Sequence, residues 1–370
     1  MKKLAIMGGN VNEVNGAIKV TVNLTNELSS YFDTWLITPN ETESYFPLKD
    51  GVKRFSYRRN DERSRYTLLA GCLRLHNFLS NNKIDVLYII DIGAKPIVGY
   101  LATIGVRNIK IIYAEHLTLY KNKFRKYNVF RKISQKLINR YSDKIVTLTF
   151  KEMNNYINFY DLKRIKVDYI YNYLDDNIFT PDIEYIGKNK KIITVGRIDF
   201  QKGYEYLVEV AKVILNKYKD LEWHIYGDLP RNGDYEYKEL IINKIKEYGL
   251  NGRLILKGNR KDIINLYKDY DIYVSTSRYE GLPLTLIEAK SKRLPLVSFD
   301  IYSGPSDIIR DNIDGYLIRP FEIDSMINKI EYLISNSDVR KKMSLKSYEN
   351  MGKFRKDYII KQWVDLINSI

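Results

Sequence analysis

The sequence predicts an α/β protein built from two doubly wound, parallel-sheet domains, and three observations predict it. The chain is 370 residues long, more than a single hydrophobic core usually organises. Short β-branched runs alternate with amphipathic stretches along its whole length, the pattern of strands covered by helices on both faces. That alternation stops once, at NYLDDNIFTPDIEYIGKN (172–189), where periodicity is weak and a proline intervenes, and then restarts.

In the first half the expected strands are KLAIM (3–7), TWLIT (34–38), DVLYII (85–90), KIIYA (110–114), KIVTL (144–148) and VDYIY (167–171). Helical patterns lie between them, among them AIKVTVNLTNELSS (17–30) and RLHNFLSNN (74–82). In the second half the expected strands are KIITV (191–195), EWHIYG (222–227), RLILKG (253–258), DIYVST (271–276), LPLVSF (294–299) and GYLI (315–318). In such sheets ligands bind at the carboxyl ends of the strands. With two domains, the cleft between them is the expected site.

Composition narrows the function classes. Apolar residues make up 45% and charged residues 28%, with 20 Gly and 9 Pro, which excludes a disordered or collagen-like chain. The most apolar stretch, Val86 to Val106, is interrupted by Asp91 and Lys95 and does not read as a membrane span. The MKKLAIMGG start reads as a first buried strand, since its apolar run is too short for a signal peptide. A single cysteine, Cys72, forms no internal disulfide, and a reducing cytoplasm is expected.

The net charge of +15 is unevenly placed. Residues 1–172 hold 28 basic and 15 acidic side chains, whereas the remaining 198 hold 32 and 30. The densest part, KNKFRKYNVFRKISQKLINR (121–140), has eight cations and no acid. Phe124, Tyr127, Ile133, Leu137 and Tyr141 recur there at roughly helical spacing. Two readings stand: a helix packed on a sheet with a solvated basic face, or a face held at an anionic membrane or phosphate-rich substrate. Nucleic acid is not expected, because zinc-finger, helix-turn-helix and RNA-binding sheet motifs are all missing from the sequence.

Three segments can carry chemistry. GGNVNEVNGAIK (8–19) is a glycine-rich strand-to-helix loop with a helix starting near Gly16; it suits an anion at a helix N-terminus or is a plain turn. VGRIDFQKGYEYLVE (195–209) places Gly196, Arg197 and Lys202 at a strand's carboxyl end, where two cations suit a diphosphate or are simply surface charge. SRYEGLPLTLIEAKS (277–291) holds Glu280 in a loop, Pro283 at a helix start and Glu288 inside that helix. Two carboxylates so spaced could grip two hydroxyl-bearing parts of one elongated ligand, or both could be solvated.

Taken together, G-R-x5-KG, E-G-x-P-x5-E-A and GPSDIIRDNIDGYLI (304–318) resemble the family 4 retaining glycosyltransferases of the GT-B fold, in which two Rossmann-like domains face a deep interdomain cleft. The resemblance spans essentially the whole chain. It implies an acceptor-side domain over 1–172, completed by a C-terminal helix at 355–370 that includes Trp363, and a nucleotide-sugar domain over 173–354. Arg197 and Lys202, with Gly196, would bind the donor diphosphate, and Glu280 would hold the hydroxyls of the transferred sugar. Backbone N–H groups within Gly281 to Leu284, the stretch that includes Leu282 and Pro283, would assist, and Glu288 would bind the ribose. Gly16 would sit beside the diphosphate, although Asn15-Gly16 stands where many members have paired glycines. The GNR segment, 258–260, with Arg260, would lie at the base. His116, after strand KIIYA, occupies the position where many members place a histidine near the donor sugar, with Glu115 as the alternative; His76 and His224 read as structural.

The resemblance thus implies a UDP-sugar donor, a hexose or N-acetylhexosamine, and retention at the anomeric carbon. No cofactor or essential metal is expected, since Asp269-Tyr270-Asp271 falls at the wrong end of its strand to serve as a metal-binding D-x-D. The GPSDII loop resembles that of bacterial enzymes that build capsule, lipopolysaccharide or teichoic-acid glycans, and the basic first domain points to a lipid-linked acceptor. It also points to a cytoplasmic enzyme lying on the inner face of the membrane. A nucleotide-sugar epimerase of the same architecture and a non-enzymatic anionic-polymer binder are the alternatives.

Overall fold

A computed structural model describes residues 1–12, 16–58, 67–90, 94–116, 118–119, 129–179, 190–228 and 235–370. Internal contacts divide the chain into two compact units. The first comprises Met1–Asn172 with Asp357–Ile370, and the second Tyr173–Lys356.

The first unit runs β1 (Lys3–Met7), α1 (Gly16–Leu28), β2 (Asp33–Thr38), β3 (Lys53–Ser56), α2 (Thr67–Asn81), β4 (Val86–Ile90) and α3 (Ala94–Thr103). It continues with β5 (Lys110–Glu115), α4 (Val129–Tyr141), β6 (Lys144–Thr147), α5 (Phe150–Tyr160) and β7 (Val167–Tyr169). All seven strands are parallel, in the order β3-β2-β1-β4-β5-β6-β7. Val86–Ile90 is buried along its whole length, as a central parallel strand covered on both faces must be.

The second unit runs β8 (Lys191–Val195), α6 (Tyr204–Lys217), β9 (Glu222–Tyr226), α7 (Tyr235–Glu247), β10 (Leu254–Gly258), α8 (Ile263–Leu266) and β11 (Ile272–Ser275). Then come α9 (Leu284–Ser291), β12 (Leu296–Phe299), α10 (Pro305–Ile308), β13 (Gly315–Ile318), α11 (Ile323–Ser335) and α12 (Ser337–Glu349). Its six parallel strands are ordered β10-β9-β8-β11-β12-β13. Ile192, Leu207, Val208, Ile214, Trp223, Ile225, Val274 and Val297 are its fully buried centre. A last helix, α13 (Lys356–Asn368), packs Trp363 on Tyr88 with ring centroids 5.0 Å apart. Lys2 Nζ donates to the carbonyls of Ile367 and Ile370 at 2.9 Å each, placing a cation at the negative end of that helix.

Both strand orders reverse once, between β1 and β4 and between β8 and β11. In doubly wound sheets that switch point is where the loops diverge and leave room for a ligand. In the second unit the loops concerned are those after Val195 and after Ser275.

The structure corrects two expectations. Strand β3, KRFS, is missing from the expected set because two of its four residues are cations and it lies at the sheet edge. Helix α4 also packs with an unexpected face: it buries Ser134, Gln135 and Ile138, while Ile133 and Tyr141 are exposed. Phe124 and Tyr127 lie outside the described residues.

Candidate active site

The site is built at the switch point of the second unit. Strand β8 is followed directly by Gly196, whose N–H donates to the Tyr226 carbonyl at 2.8 Å. Its own carbonyl accepts from Tyr204 Oη at 2.7 Å. Gly227, at the end of β9, has φ +135° and passes so close that a Cβ there would lie 1.9 Å from the Gly196 oxygen. Only glycine fits, for both reasons. Gly258 ends β10 in the same way, accepting the Gly227 N–H at 2.9 Å.

After Gly196 the chain turns on Asp199. Its carboxylate caps the short 3-10 turn Phe200–Lys202 and also accepts from Arg197 Nε at 3.1 Å. Gly203 (φ +63°) follows, and a Cβ there would lie 2.4 Å from the Thr276 carbonyl oxygen. This contact presses the first loop onto the second. Thr276 Oγ1 donates back to the Lys202 carbonyl at 3.1 Å, and the Arg278 N–H donates to the Gln201 carbonyl at 2.8 Å.

Between these two loops stands Glu280, its side chain 9% exposed. Lys202 Nζ lies 2.6 Å from Oε1, Ser277 Oγ donates to the same oxygen at 2.8 Å, and Gln201 Nε2 donates to Oε2 at 3.0 Å. Three donors, one of them charged, thus hold a carboxylate largely withdrawn from water, the arrangement that makes such bonds strong. Lys202 and Glu280 are therefore brought together. Arg197 is instead half-exposed and engaged with Asp199. Neither Gln201 nor Ser277 was singled out from the sequence: Gln201 meets Glu280 from 79 positions away, and Ser277, only three positions before it, reads as an ordinary loop serine.

Arg278 locks the two loops. Its guanidinium stacks on Phe200 at 3.8 Å and Tyr206 at 4.8 Å, and pairs with Glu205. Burial pulls its pKa down to about 10. The loop after β12 adds a third wall: Ser303 Oγ donates to the Glu280 carbonyl at 2.9 Å. Gly304 (φ +100°) packs so closely on Pro283 that a Cβ there would lie 2.6 Å from Cδ.

Pro283 caps α9 at its start, and Leu284 is the first helical residue. Leu282 and Pro283 are buried, whereas Gly281 and Leu284 are half-buried. Glu288 lies one turn into α9 and accepts from the fully buried Tyr267 Oη at 3.1 Å. Burial holds the Tyr267 hydroxyl protonated, so it stays a donor to that carboxylate. On the opposite side of α9 the fully buried Lys290 reaches Asp314 Oδ2 at 2.9 Å and the Ile308 carbonyl at 2.5 Å. Arg310 Nε shares Asp314 at 2.6 Å. Burial pulls the Lys290 pKa down to about 8, against the opposing pull of Asp314. This network pins segment 304–314 to α9.

Arg260 is exposed and paired bidentately with Asp262 at 2.8 and 2.7 Å. Gly16 begins α1, and its neighbour Asn15 lies outside the described residues. His116 directly follows β5 in the first unit and is half-buried. Asp271 lies at the amino-terminal end of β11, accepting from the Lys191 N–H at 3.3 Å, on the edge opposite the loops above. A concavity of about 700 Å³ opens at that same edge, among Lys190, Leu221, Asp271, Ile334 and Arg340. Despite its size it contains none of the loop residues, so the chemistry is sought at the carboxyl edge.

Two family models meet end to end on this chain: Glycosyltransferase Family 4 over residues 14–177 and Glycosyl transferases group 1 over 178–350. The chain belongs to the family 4 glycosyltransferases. It is 28% identical over 375 residues to the amylovoran biosynthesis glycosyltransferase AmsD of Erwinia amylovora, covering all of both chains. It is 24% identical over 378 residues to a Campylobacter jejuni α-1,4-N-acetyl-D-galactosaminyltransferase named for a diNAcBac-PP-undecaprenol-linked acceptor, covering 100% of this chain and 99% of that one. Among solved structures, HepE of Anabaena in complex with UDP and glucose superposes with a TM-score of 0.81 at 18% identity over the full length of both chains. The fold of this glycosyltransferase is therefore GT-B. Its relatives favour neither the epimerase nor the polymer-binder alternative.

Proposed function

We propose that this glycosyltransferase moves a hexose or N-acetylhexosamine from a UDP-sugar to a hydroxyl of a lipid-linked glycan, with retention and without an essential metal. The observation that carries the reading is the Lys202–Glu280 pair, 2.6 Å apart at the switch point, with Arg197 on the same loop. In that reading an arriving diphosphate competes for Lys202 and Arg197. Glu280, still oriented by Ser277 and Gln201, is then released to accept from the sugar's hydroxyls. Glu288, fixed by Tyr267, takes the ribose hydroxyls. Backbone N–H groups at the start of α9 face the same ligand.

The reaction breaks the bond from the anomeric carbon to the β-phosphate oxygen, and the electron pair goes to that oxygen. The acceptor oxygen bonds to the same face of the carbon and gives its proton to the departing phosphate. Lys202 and Arg197 supply the stabilisation of the leaving charge that a divalent ion gives elsewhere. In the same reading the family resemblance assigns His116 to the sugar, Gly16 and Gly196 to the diphosphate, and the 258–260 segment with Arg260 to the base. A lipid-linked acceptor is supported by the C. jejuni relative's name and by the +13 charge of residues 1–172. UDP is supported by the HepE complex. A cytoplasmic protein lying on the inner membrane face follows from that acceptor; among the described residues no helix is long and apolar enough to cross a membrane.

Thermal unfolding with excess UDP, GDP or ADP tests the donor. A ligand bound only by the folded state adds about 2.7 kcal/mol at a hundredfold excess over its dissociation constant. A rise with UDP alone is expected, and equal behaviour with all three nucleotides would overturn the assignment. NMR of the product's anomeric proton, with and without EDTA, then tests retention and metal independence.

A further inference from the structure

Helices α2, α3 and α4 pack side by side, α2 on α3 and α3 on α4. None of the three contains an aspartate or glutamate. A solvated helical layer normally mixes both signs of charge and turns its apolar stripe inward. This one carries no acid, and although it buries Leu75, Phe78 and Leu79 of α2, Ile97 and Val98 of α3 and Ile138 of α4, it leaves further apolar side chains outside. Leu69 and Leu73, one turn apart near the start of α2, are 65% and 59% exposed. Val129, Phe130 and Ile133 at the start of α4 are 69%, 55% and 43% exposed, while the same helix buries Ser134 and Gln135. Lys132 and Lys136, again one turn apart, are exposed beside them and have no acidic partner among the described residues. Arg74 on α2 and Arg140 on α4 extend the basic surface. Because each helix follows a strand, α2 after β3 and α4 after β5, both apolar starts lie at the carboxyl edge of the sheet.

We propose that this face, the starts of α2 and α4 with the lysines of α4, rests on an anionic lipid surface. The proposal names the contact surface behind the reading of a lipid-linked acceptor and rests on that reading. Leucine, valine, phenylalanine and isoleucine side chains enter the headgroup boundary, where their exposure no longer costs free energy, and the cations meet lipid phosphates. The complete lack of acid in three packed helices is complementary to a continuous negative sheet. An acidic protein would satisfy the lysines and leave the apolar side chains without a purpose. At the carboxyl edge, the face also brings the sheet end where ligands bind close to the bilayer.

The test is sedimentation of the full chain with vesicles of phosphatidylcholine alone or mixed equally with phosphatidylglycerol. The wild type is expected to bind the mixed vesicles, to release them as salt rises, and to ignore the neutral ones. Each lysine removed should weaken binding about fivefold, and the Lys132→Glu, Lys136→Glu pair by more. The pairs Leu69→Ser, Leu73→Ser and Phe130→Ser, Ile133→Ser should each weaken it independently of salt. Lys341→Glu with Lys342→Glu, the same charge change on exposed α12 positions, should leave binding near wild type. Equal binding by all variants, equal loss in the α12 control, or equal affinity for neutral vesicles would overturn the proposal. The UDP-dependent rise in melting midpoint is measured on every variant. If it is lacking even in the wild type, the donor reading fails while the surface is judged by vesicles alone. If it persists while vesicle binding is unchanged by substitution, the surface fails alone.

Discussion

Helices α4 and α6 cover the same kind of sheet and treat their side chains in opposite ways. Helix α6 buries Leu207, Val208, Val210, Ala211, Ile214 and Leu215. Its charges find partners: Glu209 accepts from Lys244 at 2.6 Å and Tyr248 at 2.7 Å, and Lys217 pairs with Glu331 at 2.8 Å. Helix α4 buries two polar residues and one isoleucine, exposes its apolar start, and carries no acid. The difference teaches that a 3.6-residue apolar period reports that a helix has an apolar neighbour, not that the neighbour is its own core. The charges of α6 close pairs with the neighbouring helices, whereas Lys132 and Lys136 of α4 meet no acidic partner among the described residues.

The largest effect should come from breaking a closed pair. Lys290→Met leaves the fully buried Asp314 with Arg310 alone. Removing one partner of a buried pair costs about 3–5 kcal/mol, and the lower end is expected because Arg310 remains. Urea unfolding followed by Trp223 fluorescence, in a Trp35→Phe, Trp363→Phe background, measures this in the second unit. A loss below about 1 kcal/mol, the scale of an exposed pair, would show that segment 304–314 is held by packing instead.

Lys202→Ala sharpens the contrast, since it should alter turnover far more than stability. Glu280 keeps Ser277 and Gln201 as donors, so the loop stays in place. Loss of a group that stabilises leaving-group charge lowers turnover about 100–1,000-fold. The melting midpoint without ligand should fall by less than in Lys290→Met, because Glu280 is less deeply buried than Asp314 and keeps two donors, and the rise on adding UDP should shrink. Near-wild-type turnover would remove Lys202 from the chemistry.

How far the sequence carried depended on the distance over which each inference had to reach. The strands of both sheets were legible because parallel strands buried on two faces are short β-branched runs, and the edge strand KRFS was not, because an edge tolerates cations. Arg197, Lys202, Glu280 and Glu288 stood out as motif residues at strand ends. Their joining could not be read: nothing local says that Lys202 meets a carboxylate 78 positions later, or that Tyr267 holds Glu288. Gly227 was readable in principle, since EWHIYG ends in glycine as RLILKG does, but only the 1.9 Å approach to Gly196 explains it. The face of α4 was misjudged for the reason given above: Ile133 and Tyr141 satisfy the period while pointing outward.

The smallest effect, and the one that best separates the two units, is a pH dependence. His224, buried in β9, lies with Nδ1 2.7 Å from Tyr270 Oη and Nε2 2.9 Å from Glu222 Oε2. Burial, reinforced by the Lys257 charge, holds its pKa below the ordinary 6.5 although Glu222 pulls it upward. The unfolded chain therefore takes up a proton near 6.5 that the folded one refuses until a lower pH. In that window the unfolded state binds more protons, so stability rises with pH. Read downward, stability is full above about pH 6.5, falls as pH drops towards the folded pKa, and falls no further below it. Acidifying from neutral to about pH 5 should thus lower the urea midpoint seen by Trp223, and His224→Gln should flatten that part of the change. A slope unchanged by the substitution would assign the acid sensitivity to carboxylates instead. Because Trp35 and Trp363 lie in the first unit and Trp223 in the second, the same titration read through each shows whether the two units lose stability together.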